Sequence, residues 1–230
     1  MKNKKINIFK GDSEQIAQIK INLSLYGTFF YNSIYAGFTL ILGLWYNSSW
    51  YLSIAIYYIL LAVIRFSLLY YSKSNKAGED MLSELNRFKI CGIFLLLLNT
   101  ALSAITLFRA FGTYNLPSND AIALIFAVFT ISLFALSIKN IIKYRKYNSP
   151  ILFAAKLISF SSALVSMLSL ETAIIGRYAE SIPYNTQRII STASSFLVLT
   201  IIGCIGILMI IKSQRAIIKL KKSNKIPDYS

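Results

Sequence analysis

Long apolar runs alternate with short polar and charged segments along the whole chain. Six runs are long enough to cross a bilayer as helices: residues 22–45, 49–72, 88–108, 120–139, 149–172 and 189–211. At 1.5 Å per helical residue, each run covers roughly 30 Å or more, which matches the hydrocarbon core of a membrane. The pattern predicts an all-α polytopic membrane protein with six transmembrane helices in three antiparallel hairpins.

The segments between and beside the runs define the predicted organisation. Only residues 46–48 separate the first two runs, with Trp45 and Trp50 beside them. A link this short requires an antiparallel hairpin, and tryptophan favours the membrane interface. We expect a basic cytoplasmic arm (1–21), a six-helix domain (22–211) and a basic cytoplasmic tail (212–230) that frays.

The positive charge follows the predicted topology. The formal net charge is +15, from 24 Lys and Arg against 9 Asp and Glu. Of the basic residues, 19 lie in the two terminal segments and around the second and fourth links, and three lie around the third and fifth. This alternation is typical of a multi-pass cell-membrane protein with both termini in the cytoplasm. The expected partners are therefore membrane lipids, including anionic head groups, and not nucleic acid. A homodimer is left open.

The fifth run has two unlike faces. Ser149 and Pro150 fit the N-cap and first turn of a helix. At 100° per residue, small and weakly polar side chains share one side and bulky apolar ones the other. Small residues favour close helix packing in lipid, so we expect the small face to meet other helices and the bulky face to meet lipid. Alternatively, each serine bonds only to its own helix backbone. The small face contains Ala155, Ser159, Ser162, Ala163, Ser166, Ser169 and Ala173.

Two cations lie inside predicted spans. Arg65 in the second run is about 10 Å from its cytoplasmic end, and Lys156 in the fifth run lies at a similar depth. Either they snorkel to the interface, or they face the bundle and attract an anionic solute or lipid head group. On the second interpretation, the second and fifth spans line a substrate path. Its candidate residues are Tyr57, Tyr58, Arg65, Lys156, Ser159, Ser162 and Ser166.

Acidic residues are few. Glu171 ends the fifth run, and we expect it to form an outer ion pair, with Arg109 as its first partner; a proton-coupling carboxylate is the alternative. Glu79, Asp80 and Glu84 precede the third run. They are interpreted as a solvated helix face, with a divalent-cation site as the alternative.

The sequence contains no pattern that indicates catalysis. It has no histidine, and its two cysteines, Cys91 and Cys204, lack metal-ligand spacing. Motifs such as HExxH, GxSxG and the P-loop are absent. We therefore expect no enzyme activity, no cofactor and no metal site.

Three segments carry a resemblance to known proteins. These are Tyr57–Phe66, Lys143–Pro150 (KYRKYNSP) and Ala163–Thr172 (ALVSMLSLET). Through them, the chain resembles a six-span membrane protein family of Gram-positive bacteria to which no activity is attached. The six-span plan is also similar to the membrane domain of cation diffusion facilitators, whose metal site of His and Asp lies between the second and fifth spans. Here those spans offer tyrosine, arginine and serine, so the resemblance implies a scaffold without its metal ligands.

Two functions are therefore expected. The first is a transporter-like six-helix bundle that moves a small ion or solute between the second and fifth spans. The alternative is a non-transporting membrane scaffold that binds lipid or a partner. An aqueous path that reaches Arg65 and Lys156 would favour the first function.

Overall fold

Helices make up almost all of the part of the chain that the structure describes. The computed structural model describes residues 26–74, 80–111, 120–143, 149–178 and 181–223, of which 95% are helical. The all-α prediction is confirmed. In chain order, the six helices are α1 (26–45), α2 (Ser49–Ser74), α3 (Met81–Phe111), α4 (Asp120–Lys143), α5 (Pro150–Arg177) and α6 (Tyr184–Ser223).

Five of these helices, α2 to α6, are long and apolar enough to cross a membrane. The described part of α1 is not among them, because the helix carries several polar residues along its buried side. The structure thus supports a helical membrane protein. The count of six spans, the three-hairpin arrangement and the side on which the termini lie stay predictions.

A tight turn joins α1 to α2 at the predicted place. Asn47 adopts a left-handed conformation with φ of 47°, and the Ser48 N–H donates to the Gly43 carbonyl at 3.0 Å. A Cβ atom on Gly43 would lie only 2.8 Å from Leu52, so glycine permits the two helices to touch directly after the turn. This turn places the end of α1 in direct contact with the start of α2.

Helix α5 occupies the centre of the bundle. It contacts α2, α3, α4 and α6, with the most extensive contact to α4. The small face is packed as predicted. The expectation that the bulky face meets lipid is wrong for Leu164 and Leu168, which are buried, whereas Phe153 on that face is exposed. A central helix has neighbours on nearly every side, so the exposed large apolar residues of α5 form only a narrow stripe of Phe153, Met167 and Ile174.

Helix α3 packs mainly against α6 and begins at Met81, within the acidic segment that was interpreted as a helix face before the third run. Asp80 caps it, since the Ser83 N–H donates to Asp80 Oδ1 at 3.1 Å. The first turn therefore continues directly into the apolar run. Gly92 of α3 faces Gly206 of α6, and a Cβ atom on Gly92 would lie 3.0 Å from the Gly206 carbonyl oxygen. The two glycines bring the helix backbones close together.

Helix α6 is longer than its apolar run. Its 40 residues span about 60 Å, and it continues to Ser223. The expected fraying of the tail after residue 211 is wrong up to that point. Ser213 anchors this extension, because its buried hydroxyl donates to the Leu85 carbonyl of α3 at 2.6 Å. The predicted basic arm (1–21) and residues 224–230 of the tail lie outside the described residues.

Candidate functional site

Arg65 lies inside the bundle between α2 and α5. Only 5% of the residue is exposed, and its Nη2 donates to Ser159 Oγ at 3.2 Å and to Ser162 Oγ at 3.3 Å. Arg65 therefore does not snorkel to lipid. The structure brings this arginine together with two serines of the predicted path.

The serines of α5 bond to their own helix and to neighbouring helices at the same time. Ser159 donates to the Ala155 carbonyl and Ser162 to the Ser159 carbonyl, both at 2.9 Å. Each hydroxyl oxygen keeps lone pairs with which it accepts from Arg65. The two alternatives for the small face are thus compatible. The hydroxyl protons are used within α5, so the oxygens are oriented toward the cation.

The two tyrosines of the predicted path differ in how they are satisfied. Tyr58 donates its hydroxyl proton to the Ser162 carbonyl of α5. The buried Tyr57 hydroxyl makes no hydrogen bond with the described residues, although it interacts electrostatically with Arg65. Ser166 completes the group on the α4 side, where its carbonyl accepts from Thr130 Oγ1 at 3.0 Å.

Lys156 is also buried, with 7% of the residue exposed. It lies on α5 one turn before Ser159, nearer to the start of the helix. Both intramembrane cations therefore lie inside the protein. The contacts that join Arg65 to α5 are made by Ser159 and Ser162, and Lys156 is a second positive charge on the same helix.

The environment of Arg65 is polar and holds no counter-charge within the described part of the chain. Among the residues that the structure describes, no carboxylate pairs with Arg65, and its Nε has no hydrogen-bond partner. A buried charge without a partner is costly, because serine hydroxyls provide dipoles but no negative charge. The chemistry that such a site can perform is the binding of an anion.

The predicted outer ion pair is only partly covered by the structure. Glu171 is partly buried near the end of α5, but the side chain of Arg109 lies outside the described residues, so that pair stays a prediction. Arg177, at the end of the same helix, forms an ion pair with Asp120 at the start of α4. This pair joins the ends of α4 and α5.

The acidic group before the third run is not a uniform solvated face. Asp80 is exposed, and its hydrogen bond from the Ser83 N–H lowers the pKa of its carboxyl group. Glu84 is fully buried and accepts from Ser149 Oγ at 2.7 Å, so its interpretation as solvated was wrong. Glu79 lies outside the described residues. Within the described part of the chain, no group of three or more His, Cys, Asp or Glu side chains could hold a metal ion.

One buried polar stripe was missed by the sequence analysis. Thr28, Asn32, Tyr35 and Thr39 of α1 all face inward, and their spacing of four, three and four residues follows one side of a helix. The Tyr35 ring packs 4.4 Å from the Tyr58 ring, so this stripe borders the α2–α5 site. The regular spacing in the first run was the signal that could have indicated it.

The comparisons with known proteins do not add an assignment, since neither the protein-family models nor the curated proteins contain a match to this chain.

Proposed function

We propose that this chain is a six-span protein of the cell membrane whose bundle binds and moves a small anionic solute along α2 and α5. The buried Arg65 is the observation that supports the proposal. Its guanidinium is held by α5 hydroxyls, and it keeps an unsatisfied Nε–H among the described residues. A bound anion would supply the missing counter-charge.

The site has features that suit transient rather than permanent binding. A carboxylate beside Arg65 would form a buried ion pair and compete with a solute for the guanidinium. Neutral hydroxyl groups instead position the cation and leave its charge available. Lys156, on the same helix, raises the positive potential inside the bundle. In this proposal the two cations set the preference for anions, and Tyr57 and Ser166 provide hydrogen bonds along the path.

The proposed topology follows from the charge distribution. Both termini lie in the cytoplasm, and the basic segments there meet anionic lipid head groups. The path would then open near Lys156 on the cytoplasmic side and near Glu171 on the outer side. Glu171 would close the outer end by pairing with a cation such as Arg109.

Cysteine accessibility tests the proposal. Single cysteines replace Tyr57, Ser162 and Ser166 in a full-length chain that lacks Cys91 and Cys204, and sealed vesicles are treated with a membrane-impermeant thiol reagent from each side. We expect labelling of all three positions, because an aqueous path must reach them. Anions should slow the labelling if they occupy the site.

A matched control comes from the opposite face of α2. Val63 is well exposed on the surface of the bundle, where lipid would cover it. A cysteine there should resist the impermeant reagent and react only with a membrane-permeant one. Absence of labelling at all three path positions from both sides would refute transport and leave the non-transporting scaffold.

A further inference from the structure

Asn32 is the most unusual member of the polar stripe on α1. It is completely buried, and neither its Nδ2 nor its Oδ1 has a hydrogen-bond partner among the described residues. Thr39 is satisfied within the helix, since it donates to the Tyr35 carbonyl at 2.9 Å. The Tyr35 hydroxyl also lacks a hydrogen-bond partner among the described residues, but Asn32 leaves two polar atoms unsatisfied. A buried amide with both ends unsatisfied is costly.

Ring contacts fix the depth of Asn32 relative to Arg65. The Phe29 ring of α1 lies 6.0 Å from the Phe66 ring of α2, and the Tyr35 ring lies 4.4 Å from the Tyr58 ring. Asn32 is midway between Phe29 and Tyr35 along α1. Arg65 directly precedes Phe66 on α2, on the Tyr58 side. Both Asn32 and Arg65 therefore lie between these two ring contacts, at neighbouring depths on α1 and α2.

We propose that Asn32 binds the same guest as Arg65, and that this guest is a small oxyanion that also carries a hydroxyl group. This inference rests on the proposed function. The Nε–H of Arg65 and the amide N–H of Asn32 donate to the oxyanion. The amide oxygen of Asn32 needs a donor, which a hydroxyl group of the guest provides. A halide ion or a plain carboxylate has no such donor.

The hydroxyl group is the feature that Asn32 selects. A buried polar group left without its partner weakens binding strongly, so removal of the hydroxyl from the guest should reduce the affinity by about tenfold or more. Lactate and propionate differ by only this group. A hydroxylated oxyanion can also come from a lipid, since the head group of phosphatidylglycerol combines a phosphate with hydroxyl groups.

Calorimetric titration of the purified full-length protein in neutral detergent tests the inference. The titrants are lactate, propionate, chloride and short-chain phosphatidylglycerol, with short-chain phosphatidylcholine as the lipid without hydroxyl groups. We expect lactate to bind at least about tenfold more tightly than propionate, and chloride to bind more weakly still. Binding of phosphatidylglycerol but not of lactate would assign the same chemistry to a lipid head group.

Variants separate this inference from the proposed function. Asn32→Leu should bind propionate more weakly than the wild type, through loss of the amide N–H, and should lose the preference for lactate, whereas Arg65→Gln should lose all anions. Asn32→Thr is a second variant in case the leucine prevents folding. Thr39→Val is the matched control on the same face of α1, because its hydroxyl is satisfied within the helix, and it should keep the preference.

The possible failures are distinguishable. In the first, the wild type binds lactate and propionate with equal affinity while Arg65→Gln binds neither. That result would overturn the role of Asn32 and leave the anion site at Arg65 intact. An unchanged lactate preference in Asn32→Leu would overturn it as well. No binding of any anion or anionic lipid to the wild type would refute the proposed function together with this inference.

Discussion

Replacement of Gly206 by alanine should push α3 and α6 apart. A Cβ atom at this position would lie 2.8 Å from both Cγ and Cδ2 of Leu96, and 3.2 Å from the Gly92 carbonyl oxygen. Ordinary contacts of a Cβ atom begin at 3.4 Å. The new methyl group therefore requires Leu96 to move by about 0.6 Å and the Gly92 backbone by about 0.2 Å, and in a packed interface the two helices share this movement.

The energetic cost follows from the packing that such a movement weakens. When two atoms in contact move about 0.5 Å apart, the pair loses about a quarter of its dispersion energy. The contact between α3 and α6 is the most extensive in the bundle, so many pairs are affected. Overpacking typically costs about 1–3 kcal/mol, and the helix propensity of alanine returns about 0.5–1 kcal/mol. We expect a net loss of about 1–2 kcal/mol.

Thermal unfolding of the purified protein in detergent measures this loss. A change of this size lowers Tm by about 2–8 °C in a chain of this length. Gly92→Ala should behave similarly, since its Cβ atom would lie 2.9 Å from Met209 Cβ. The double variant should lose less than the sum of the two single losses, because one separation of the helices accommodates both methyl groups.

Gly37→Ala is the matched control. Gly37 lies on the exposed side of α1, and nothing is within 4 Å of a Cβ atom there. This variant should unfold at the wild-type temperature or slightly above it. If Gly206→Ala unfolds at the same temperature as Gly37→Ala, the close contact of α3 and α6 does not exist in the protein.

Three further predictions concern polar groups. Tyr58→Phe should lower the unfolding free energy by about 0.5–1.5 kcal/mol, because it loses the hydrogen bond to α5. Tyr57→Phe should leave the unfolding free energy unchanged and weaken anion binding, because the Tyr57 hydroxyl has no hydrogen-bond partner among the described residues. Thermal unfolding and anion titration of both variants test this prediction. Glu84→Gln and Ser149→Ala should each lower the unfolding free energy by about 1 kcal/mol. The double variant should lose less than the sum of the two single losses, and additive losses would contradict the hydrogen bond between Ser149 and Glu84. Asp80→Ala should lower Tm at neutral pH only. The pKa of the Asp80 carboxyl is depressed from its ordinary 3.8, so its stabilising effect is complete above that pH and is lost as the pH falls through the lowered pKa; an equal loss in strong acid would refute the cap.

The helices could be predicted from the sequence largely because a membrane span must be apolar over its whole length. The boundaries were less predictable where a helix leaves that environment. Glu84 was correctly placed on a helix before the third run, but the polar residues there did not show that α3 begins at Met81. The extension of α6 was missed for the same reason, since Ser213 and its neighbours are polar and their helix is stabilised by contact with α3.

The site was predictable on two of its three helices. Helical periodicity showed that the α5 serines share one face of their helix, and it identified Arg65 as a candidate on α2. The structure joins Arg65 to two of these serines through hydrogen bonds. Sequence periodicity could not show that α5 is central, because that depends on how many neighbours surround it. The bulky residues Leu164 and Leu168 were therefore assigned to lipid, although they contact protein.

The low apolarity of α1 and the buried position of Asn32 have one physical cause. A helix that places threonine, asparagine and tyrosine on one side has a reduced mean hydropathy, so α1 falls outside the set of long apolar helices. Such a helix is unfavourable alone in lipid, where unsatisfied polar groups are costly. In the folded bundle the stripe is covered, since Tyr35 packs against Tyr58 of α2 and Phe126 of α4. A buried amide without hydrogen-bond partners contributes little to folding, which agrees with the proposal that Asn32 binds a guest together with Arg65.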